Sequence, residues 1–272
     1  MKISQSHTAN TPDRVTGLRA VPTALNVNLR DASDFSTYHA WQTSLRKRFS
    51  NDLAFNVNYT WSRNMALSQG DYWGGNDPEV QDETNYRADY GPITQNRTHS
   101  MTLDSVYTFP FDRWLNAGSA LKHVVGGWQL AGILGIANGG WINIVQPSTL
   151  LLSRPDYAGG DPLLNGADRF RYLNTAAFAR VPVNSANVPI RPGNLGKNAF
   201  RGPGTWNLDL SISKDFKFHE RYGLRFRADM FNATNSVRLG NPNTDITNTA
   251  LFGVITAVAP ARTMQMGLRF TF

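Results

Sequence analysis

The sequence predicts an all-β fold: an antiparallel transmembrane β-barrel, present only in part, with long extracellular loops. Three observations predict it. Apolar and polar residues alternate with a period of two along several stretches, which places one set on each face of a strand. Short polar turns and long loops separate those stretches, as in outer-membrane barrels. Aromatic residues gather near the ends of the stretches, where a barrel meets the two membrane interfaces.

The composition of the chain is compatible with this fold. The 272 residues carry a net charge of +7 and have a mean hydropathy of −0.37. No run of eighteen apolar residues occurs, so no transmembrane helix is predicted. Low mean hydropathy does not exclude a barrel, because barrel strands alternate and average near neutral. The absence of cysteine excludes disulfides and thiolate metal sites.

The positive charge has two interpretations. Scattered surface Lys and Arg would need no partner, whereas an anionic partner would be nucleic acid or the lipid A side of an outer membrane. Basic residues cluster only at Arg46, Lys47 and Arg48, and no helix presents a basic stripe. We therefore expect no nucleic-acid partner.

Alternation predicts seven strands. The first two form a hairpin on either side of the polar turn Ser50–Asp52. Gly139 and Gly140 are predicted to bend the chain after the fourth strand, and a short helix is predicted only at Arg113–Val125. The seven stretches are 39–49, 53–63, 99–109, 127–137, 206–216, 223–231 and 262–272.

One face of these strands is predicted to contact lipid and the other a wet lumen. The lumen face carries Asn, Ser, Thr and Gln, and Arg225, Arg227 and Asp229 are expected to form an ion-pair ladder there. The residues predicted to face lipid are Trp41, Leu45, Leu53, Phe55, Val57, Tyr59, Trp61, Leu208, Leu210 and Ile212.

The connections between the strands are uneven in length. An eleven-residue strand spans about 36 Å, and tilted by about 45° it covers the roughly 25 Å apolar band of a barrel. A soluble β-sandwich would also alternate, but its turns would come about every 8–12 residues. The long connections favour the barrel, while the sandwich stays open as an alternative. Short connections lie near 50–52 and 217–222, a moderate one at 110–126, and long ones at about 64–96, 146–204 and 233–261.

Five motifs in a fixed order resemble one family. From about residue 35 to 272 they resemble the C-terminal part of a TonB-dependent outer-membrane transporter, and most of all the Oar-like group. Each motif is weak alone, and their order makes the resemblance specific. They are YHAWQTSLRKRFSNDLAFNVNYTWSRN, GGWQLAGI, FRGPGTWNLDLSISKDF, LRFRADMFNATN and the terminal MQMGLRFTF.

The resemblance implies a 22-stranded barrel around a plug domain, a TonB-binding segment, and uptake of a large substrate such as a siderophore, cobalamin or a glycan. It implies that the chain is a fragment with the last seven strands, because single-chain bacterial barrels have even strand numbers. Residues 1–34 are then expected to be an extended loop and N-terminal remnant, and residues 35–272 the C-terminal part of the barrel. The expected partners are outer-membrane lipid, the barrel-assembly machinery and, through the missing N-terminal part, the plug domain and TonB.

The resemblance also assigns a role to the last strand. In the family, a terminal strand that ends in Phe is the signal read by the barrel-assembly machinery. This role carries over to Met266, Leu268, Phe270 and Phe272. The alternative is that these residues only face lipid, and the two roles are compatible.

The sequence contains no catalytic motif. Neither G-x-S-x-G nor H-E-x-x-H occurs, and the five His residues have no metal-ligand spacing. The stretch GNLGKN, Gly193–Asn198, approaches a phosphate-binding loop but lacks the required Ser or Thr and the required spacing. We therefore expect no enzyme activity, no cofactor, and no catalytic or metal site.

The long loops contain the candidate substrate contacts. Aromatic side chains on external loops can stack on a sugar ring or a siderophore, since loops carry recognition; packing between loops is the alternative. The loop segment 70–90 is also rich in Asp and Glu, which are calcium ligands, but its spacing does not match an EF-hand, so a solvated loop is expected. The aromatic candidates are Tyr72, Trp73, Tyr86, Tyr90 and Trp141.

Three functions follow from these observations. The first is a barrel segment of a TonB-dependent receptor that takes up a large substrate. The second is a small autonomous outer-membrane barrel, a porin or an adhesin. The third, from another class, is a soluble β-sandwich that binds carbohydrate through its Trp and Tyr loops.

Overall fold

A single antiparallel sheet of eight long strands dominates the computed structural model of the protein. The model describes residues 2–10, 13–24, 27–67, 81–82, 85–114, 124–147, 152–164, 168–218 and 222–272. The strands are β1 (Lys2–Ala9), β2 (Val27–Ser50), β3 (Leu53–Ala66), β4 (His99–Phe109), β5 (Trp128–Ala137), β6 (Thr205–Phe218), β7 (Tyr222–Phe231) and β8 (Thr263–Thr271).

The strands follow one another across the sheet in chain order, and each pairs antiparallel with the next. Chain-order pairing is what short turns and returning loops produce. Within the described residues β1 and β8 do not pair with each other, so the sheet is open at both edges. The antiparallel all-β prediction is confirmed, and the described residues do not form a closed barrel.

The structure has one long strand more than the sequence predicts. The seven predicted strands are β2–β8, but residues 1–34, expected to form an extended loop, contain β1 and the start of β2. These pair from Lys2 opposite Phe35 to Ala9 opposite Val27. Because β1 is largely polar, it gives no alternation signal. β1 pairs with Val27–Phe35 and β3 with Ser36–Ser50, so β1 lies beyond the stretch of β2 that joins the rest of the sheet. The strand number of a whole barrel, 22, stays a prediction.

The predicted hairpin turn forms at the predicted place. Asn51 and Asp52 have φ values of 49° and 63°. Two consecutive positive φ values are what a type I′ turn requires, and Asn and Asp adopt them more readily than most residues. This turn has the twist of the strands it joins and pairs Ser50 with Leu53, and an irregularity between Lys47 and Ser50 then shifts the register of the remaining ladder by one residue.

The pairing register joins the apolar positions of neighbouring strands into one face. Val57 lies opposite Leu45 and Leu103. Leu103 lies opposite Leu134, which in turn lies opposite Leu208. Directly opposed residues point to the same side of a sheet. By the same register, all ten residues predicted to contact lipid lie on this side, which we call the apolar face.

The alternate positions form a polar face on the inside of a curve. Asn56 lies opposite Asp104, and its Nδ2 donates to Asp104 Oδ1 at 3.1 Å. Residues from all of β2–β7 line one hollow of about 640 Å³, which requires the sheet to curve around them.

The predicted ion pairs on the polar face form with partly different partners. Arg225 Nε lies 2.6 Å from Asp215 Oδ1 on the neighbouring strand, and Arg227 Nε lies 2.8 Å from Asp229 Oδ1 on its own strand. Both Arg side chains are more than half exposed. Each pair therefore contributes no more than about 1 kcal/mol.

All long connections leave the sheet at one end, which we call the loop end. The β3–β4, β5–β6 and β7–β8 loops and the connection from β1 to β2 lie there. The turn at 51–52, the end of β4, the start of β5, the end of β6, the start of β7 and Phe272 lie at the other end. This is the arrangement that the connection lengths predict.

Secondary structure outside the sheet comes in short pieces. An α-helix at Phe111–Trp114 overlaps the start of the predicted helix, and residues 115–123 lie outside the described part. Among the described residues, no helix is long and apolar enough to cross a membrane. There are 3₁₀ turns at Tyr86–Asp89 and Thr175–Ala177, and two-residue strands at Gly91–Pro92, Trp141–Ile142, Gln146–Pro147, Leu152–Ser153, Asp156–Tyr157, Phe178–Ala179 and Phe200–Arg201.

The hydrophobic core lies in the loops. Phe178 of the β5–β6 loop and Phe252 of the β7–β8 loop meet edge to face, with ring centroids 5.6 Å apart. A curved sheet with its polar side inward has no apolar interior to offer, so the loops bury apolar side chains against each other. The core residues are Ile142, Ile144, Leu173, Ala177, Phe178, Leu195, Ile246 and Phe252.

Labelling at single cysteines tests the two faces, because the chain has no cysteine of its own. We expect a spin label at Val57→Cys, on the apolar face, to collide mainly with oxygen, which concentrates in lipid. A label at Asn58→Cys, one position along the same strand, should collide mainly with a water-soluble nickel chelate. Power-saturation EPR in lipid vesicles measures both. Equal or reversed accessibility would contradict the assignment.

Candidate functional site

The described residues of the β3–β4, β5–β6 and β7–β8 loops pack together at the loop end, and we call them the loop unit. Val145 N donates to Thr244 O, and Ile246 N donates to Val145 O, both at 3.0 Å. Tyr172 N donates to Gly253 O at 3.0 Å. Backbone bonds between two different loops fix their relative position, so the loop unit is a folded body.

A buried ion pair fixes the β3–β4 loop to the β5–β6 loop. Arg154 Nη1 donates to Asp89 Oδ1, and the two side chains are 3% and 2% exposed. Gln81 connects to both: its backbone N donates to Asp89 Oδ2 at 3.1 Å, and its Oε1 accepts from Arg154 N at 2.7 Å. Full pairing and hydrogen bonding is what makes buried charges tolerable.

The GNLGKN stretch is bound inside the loop unit. Gln81 Nε2 donates to Gly193 O at 2.9 Å, and Arg154 Nε donates to Leu195 O at 2.8 Å. Lys197 Nζ donates to the carbonyl oxygen of Leu67, and the Lys197 side chain is buried. A Cβ on Gly193 would lie 2.1 Å from Arg154 O, which explains the glycine there. The stretch therefore serves loop packing.

The aromatic candidates for substrate contact have different surroundings. Tyr72 and Trp73 lie outside the described residues. Tyr86 begins a 3₁₀ turn and is half-buried. The Tyr90 ring stacks on Phe35 of β2 with centroids 5.0 Å apart, so it packs against a strand and not against another loop. Substrate contact by these residues stays a prediction.

Trp141, the fifth candidate, lies four residues after the end of β5. It pairs with Arg201 in a two-residue antiparallel ladder, and Arg201 Cζ lies 3.9 Å from the centroid of its ring. A cation over an indole ring is attracted by the ring's negative face. Trp141 is therefore held beside a positive charge at the loop end of the sheet.

Two guanidinium groups bind the backbone carbonyls of residues 138 and 139. Arg97 Nη1 donates to Asn138 O at 3.0 Å, and Arg201 Nη1 donates to Gly139 O at 3.3 Å. A Cβ on Gly140 would lie 3.2 Å from Arg97 Nη1, so glycine permits the close approach. β5 ends at Ala137 and pairing resumes at Trp141, so the two glycines lie where the ladder is interrupted, and a bend there stays a prediction.

The terminal strand β8 is exposed along its whole length. It pairs with β7 on one side, and its other edge has no partner within the described residues. The Phe270 ring stacks between those of Tyr222 and Phe272, with centroids 6.1 Å apart in each pair. Of the four residues assigned to the assembly signal, Met266, Leu268 and Phe272 are at least 70% exposed and Phe270 is 57% exposed.

The acidic stretch of the β3–β4 loop is described only in part. Residues 68–80 and 83–84 lie outside the described residues, and of the acids predicted to be solvated there, Asp89 is instead buried against Arg154. In the part of the chain that the structure describes, no three His, Asp or Glu side chains are placed to hold a metal ion.

Sequence reasoning missed Gln81 and Arg154. Arg154 meets Asp89 across 65 residues of chain and Gln81 across 73, and Gln81 meets Gly193 across 112. Periodicity and short motifs report on neighbours within a few residues, so no local pattern marks these contacts. The glycine at 193 was the one available signal, because a glycine within a polar loop often marks close backbone approach.

Comparisons with known proteins agree with the observed fold. A family model described as outer membrane beta barrel domain matches residues 2–265. The solved structure of the outer membrane transporter YddB from Escherichia coli is similar over 99% of this chain, with 13% sequence identity and a TM-score of 0.51. The chain spans 28% of the length of that transporter, and at this identity the likeness concerns the fold alone. No curated protein matches the sequence.

The buried ion pair can be tested by Asp89→Asn, which leaves the Arg154 guanidinium buried without its carboxylate. Because removing one partner of a buried pair costs about 3–5 kcal/mol, we expect amide hydrogens around Arg154 and Leu195 to lose protection from exchange. The control is Asp156→Asn, since its partner Arg191 is 51% exposed and such pairs contribute about 0–1 kcal/mol. Equal loss in both variants would contradict the assignment.

Proposed function

The chain belongs to the outer membrane beta barrel domain family, and from that premise we propose that it is the C-terminal part of the barrel of a TonB-dependent receptor. Membership assigns it to the bacterial outer membrane and favours the membrane barrel over the soluble β-sandwich. The proposed activity is selective binding and active passage of a large substrate of the siderophore, cobalamin or glycan class. No bond is broken and no cofactor takes part.

The open sheet is the observation that most directly supports this proposal. In the described part of the chain, β8 leaves one edge unpaired, and so does β2 along Ser36–Ser50, because β1 pairs only with Val27–Phe35. An unpaired backbone N–H or C=O group in hydrocarbon costs several kcal/mol, so further strands have to complete the wall. A sector of wall is also consistent with a fold likeness that spans 28% of a longer transporter.

In this proposal each part of the chain has a task. The polar face lines the passage, which the plug domain of the complete receptor fills. The loop unit lies at the extracellular end and meets the substrate first. TonB acts through the N-terminal part of the receptor. The fold of the loop unit supports this division, because a preorganised surface loses little entropy when it binds a ligand.

We assign the apolar face to outer-membrane lipid. One row across it consists of Leu and Val, namely Leu45, Val57, Leu103, Leu134 and Leu208, and aromatic residues stand at both ends of the band. Trp41 lies opposite Trp61 near the loop end, and Phe109 lies opposite Trp128 near the other end. Aromatic girdles on both sides of an apolar band of about 25 Å are typical of outer-membrane barrels.

A small autonomous barrel, a porin or an adhesin, is the second candidate. Eight long strands are described and closed barrels of eight strands exist, but β1 pairs only with Val27–Phe35, beyond the stretch of β2 that pairs with β3. An autonomous barrel would require the Ser36–Ser50 stretch of β2 to pair with β8 and the polar hollow to be enclosed.

The coding sequence directly upstream of Met1 tests the choice between the two. We expect it to encode, in frame, further alternating strands and a globular plug domain, because the receptor needs both. A secretion signal immediately before β1 would contradict the receptor and favour the autonomous barrel. The isolated chain would then change its gel mobility on heating, as closed barrels do.

The terminal residue tests recognition by the barrel-assembly machinery. Phe272→Leu keeps an apolar side chain, so a role limited to lipid contact predicts little change. Recognition of a terminal aromatic residue predicts a several-fold lower heat-modifiable fraction in isolated outer membranes. Phe226→Leu, the same substitution on the apolar face of the neighbouring strand β7, is the control. If Phe272→Leu assembles as well as Phe226→Leu, the recognition role is wrong.

A further inference from the structure

Three residues at the loop end have features that the proposed transport function does not explain. Arg97 precedes β4 by two residues, Trp141 follows β5 by four, and Arg201 precedes β6 by four. The strands β4, β5 and β6 are consecutive in the sheet. The topology therefore brings the three residues to one place on the rim of the wall.

The side chains of these residues pack around the dipeptide Gly140–Trp141. Arg201 Cζ lies 3.9 Å from the centroid of the Trp141 ring. Arg201 Nη2 donates to Thr98 Oγ1, the hydroxyl of the residue after Arg97. Arg97 lies against Gly140, because a Cβ on that glycine would be 3.3 Å from Arg97 Cζ. Two cations thus flank one short piece of backbone.

No carboxylate pairs with either guanidinium among the described residues. Both donate only to neutral oxygens: two backbone carbonyls and one hydroxyl. Burial first, and the positive charge of Arg97 second, lower the pKa of Arg201. Burial and a nearby like charge both disfavour a cation, and an anion beside the pair would offset that cost.

The indole of Trp141 adds a third donor. Its Nε1 is buried and has no hydrogen-bond partner among the described residues. A buried donor without an acceptor costs about 1–3 kcal/mol, so native proteins rarely retain one without a reason. A ligand oxygen would satisfy this N–H.

We propose that Arg97, Arg201 and Trp141 form a binding site for an oxyanion, the carboxylate or phosphate of a ligand that arrives at the loop end. A guanidinium presents five N–H donors in a fork that matches both kinds of oxyanion. Each of these two groups uses one or two donors on the protein, which leaves others for a ligand. The site is independent of the coupling proposed above, since binding needs neither plug nor TonB.

A purely structural role for the two Arg residues is the alternative. Arg97 donates to the carbonyl of Asn138 and Arg201 to that of Gly139. A neutral donor could make the same hydrogen bonds without the repulsion between two cations. The contact with the Trp141 ring accounts for a charge at Arg201, so the alternative leaves the charge of Arg97 beside it unexplained. The experiment therefore has to separate charge and fork geometry from the support of the backbone at 138–139.

Isothermal titration of the full chain in detergent micelles, at fixed ionic strength in chloride, tests the proposal. The probes are citrate for carboxylates and inorganic phosphate for phosphates. We expect one of them to bind with one-to-one stoichiometry, and Arg97→Gln or Arg201→Gln to weaken binding by about tenfold or more, as the loss of a charge-assisted hydrogen bond implies. Tighter binding of citrate identifies a carboxylate ligand, and tighter binding of phosphate identifies a phosphate ligand.

Matched variants exclude the structural reading. Arg171→Gln removes one exposed charge from the same loop and should change affinity less than twofold, which is about 0.4 kcal/mol. Arg97→Lys and Arg201→Lys keep a cation and a donor for the backbone at 138–139 but lose the fork, so affinity should fall while exchange protection of the loop unit is retained. Trp141→Phe keeps an aromatic face for Arg201 but loses the N–H together with the pyrrole part of the indole, and should weaken binding several-fold.

Three results would overturn the inference. The first is that neither probe saturates a single site. The second is that Arg171→Gln weakens binding as much as Arg97→Gln, which would indicate diffuse attraction by net charge. The third is that the Lys variants bind as tightly as the original chain, because the fork would then be irrelevant.

Discussion

Backbone hydrogen bonding within hydrocarbon is the constraint on which the rest of this structure depends. Lipid offers no partner to a free N–H or C=O group, so the membrane-spanning strands must pair without interruption. The ladder between β3 and β4 runs unbroken from Leu53 opposite Tyr107 to Trp61 opposite His99. Once both edges of a strand are paired, its two faces can still differ in polarity. The period of two in the sequence reflects that difference, because successive side chains point to opposite faces.

The same constraint moves the hydrophobic core to an unusual place. A wall with lipid on one side and water on the other has no interior of its own, and its apolar side chains are already accommodated by the membrane. The loops then have to obtain order from their own packing. They do so with the shared core around Phe178 and Phe252 and with the buried pair of Arg154 and Asp89.

The sequence predicts the strands of the sheet far better than it predicts the packing of the loop unit. β4, predicted at 99–109, forms at His99–Phe109, because alternation is a local property that the ladder preserves. β1 is missed because its pairing rests on backbone groups and its side chains are mostly polar. Lys214 occupies an apolar-face position that alternation alone would give to a hydrophobic residue. Its Nζ donates to the Gly126 carbonyl and lies 4.9 Å from the centroid of the Phe216 ring. The alternation pattern does not predict these contacts. The contacts of the loop unit depend likewise on distant segments.

The core shared by the β5–β6 and β7–β8 loops has a mechanical consequence. Residues 246 and 252 come from one loop, and 142, 144 and 173 from the other, so separating the loops would expose apolar surface on both. Because that exposure costs free energy, the two loops hold β5, β6, β7 and β8 together at the loop end as one rigid block. A movement that widens the loop end of the sheet therefore has to occur outside this block. The block itself stays in place during such a movement.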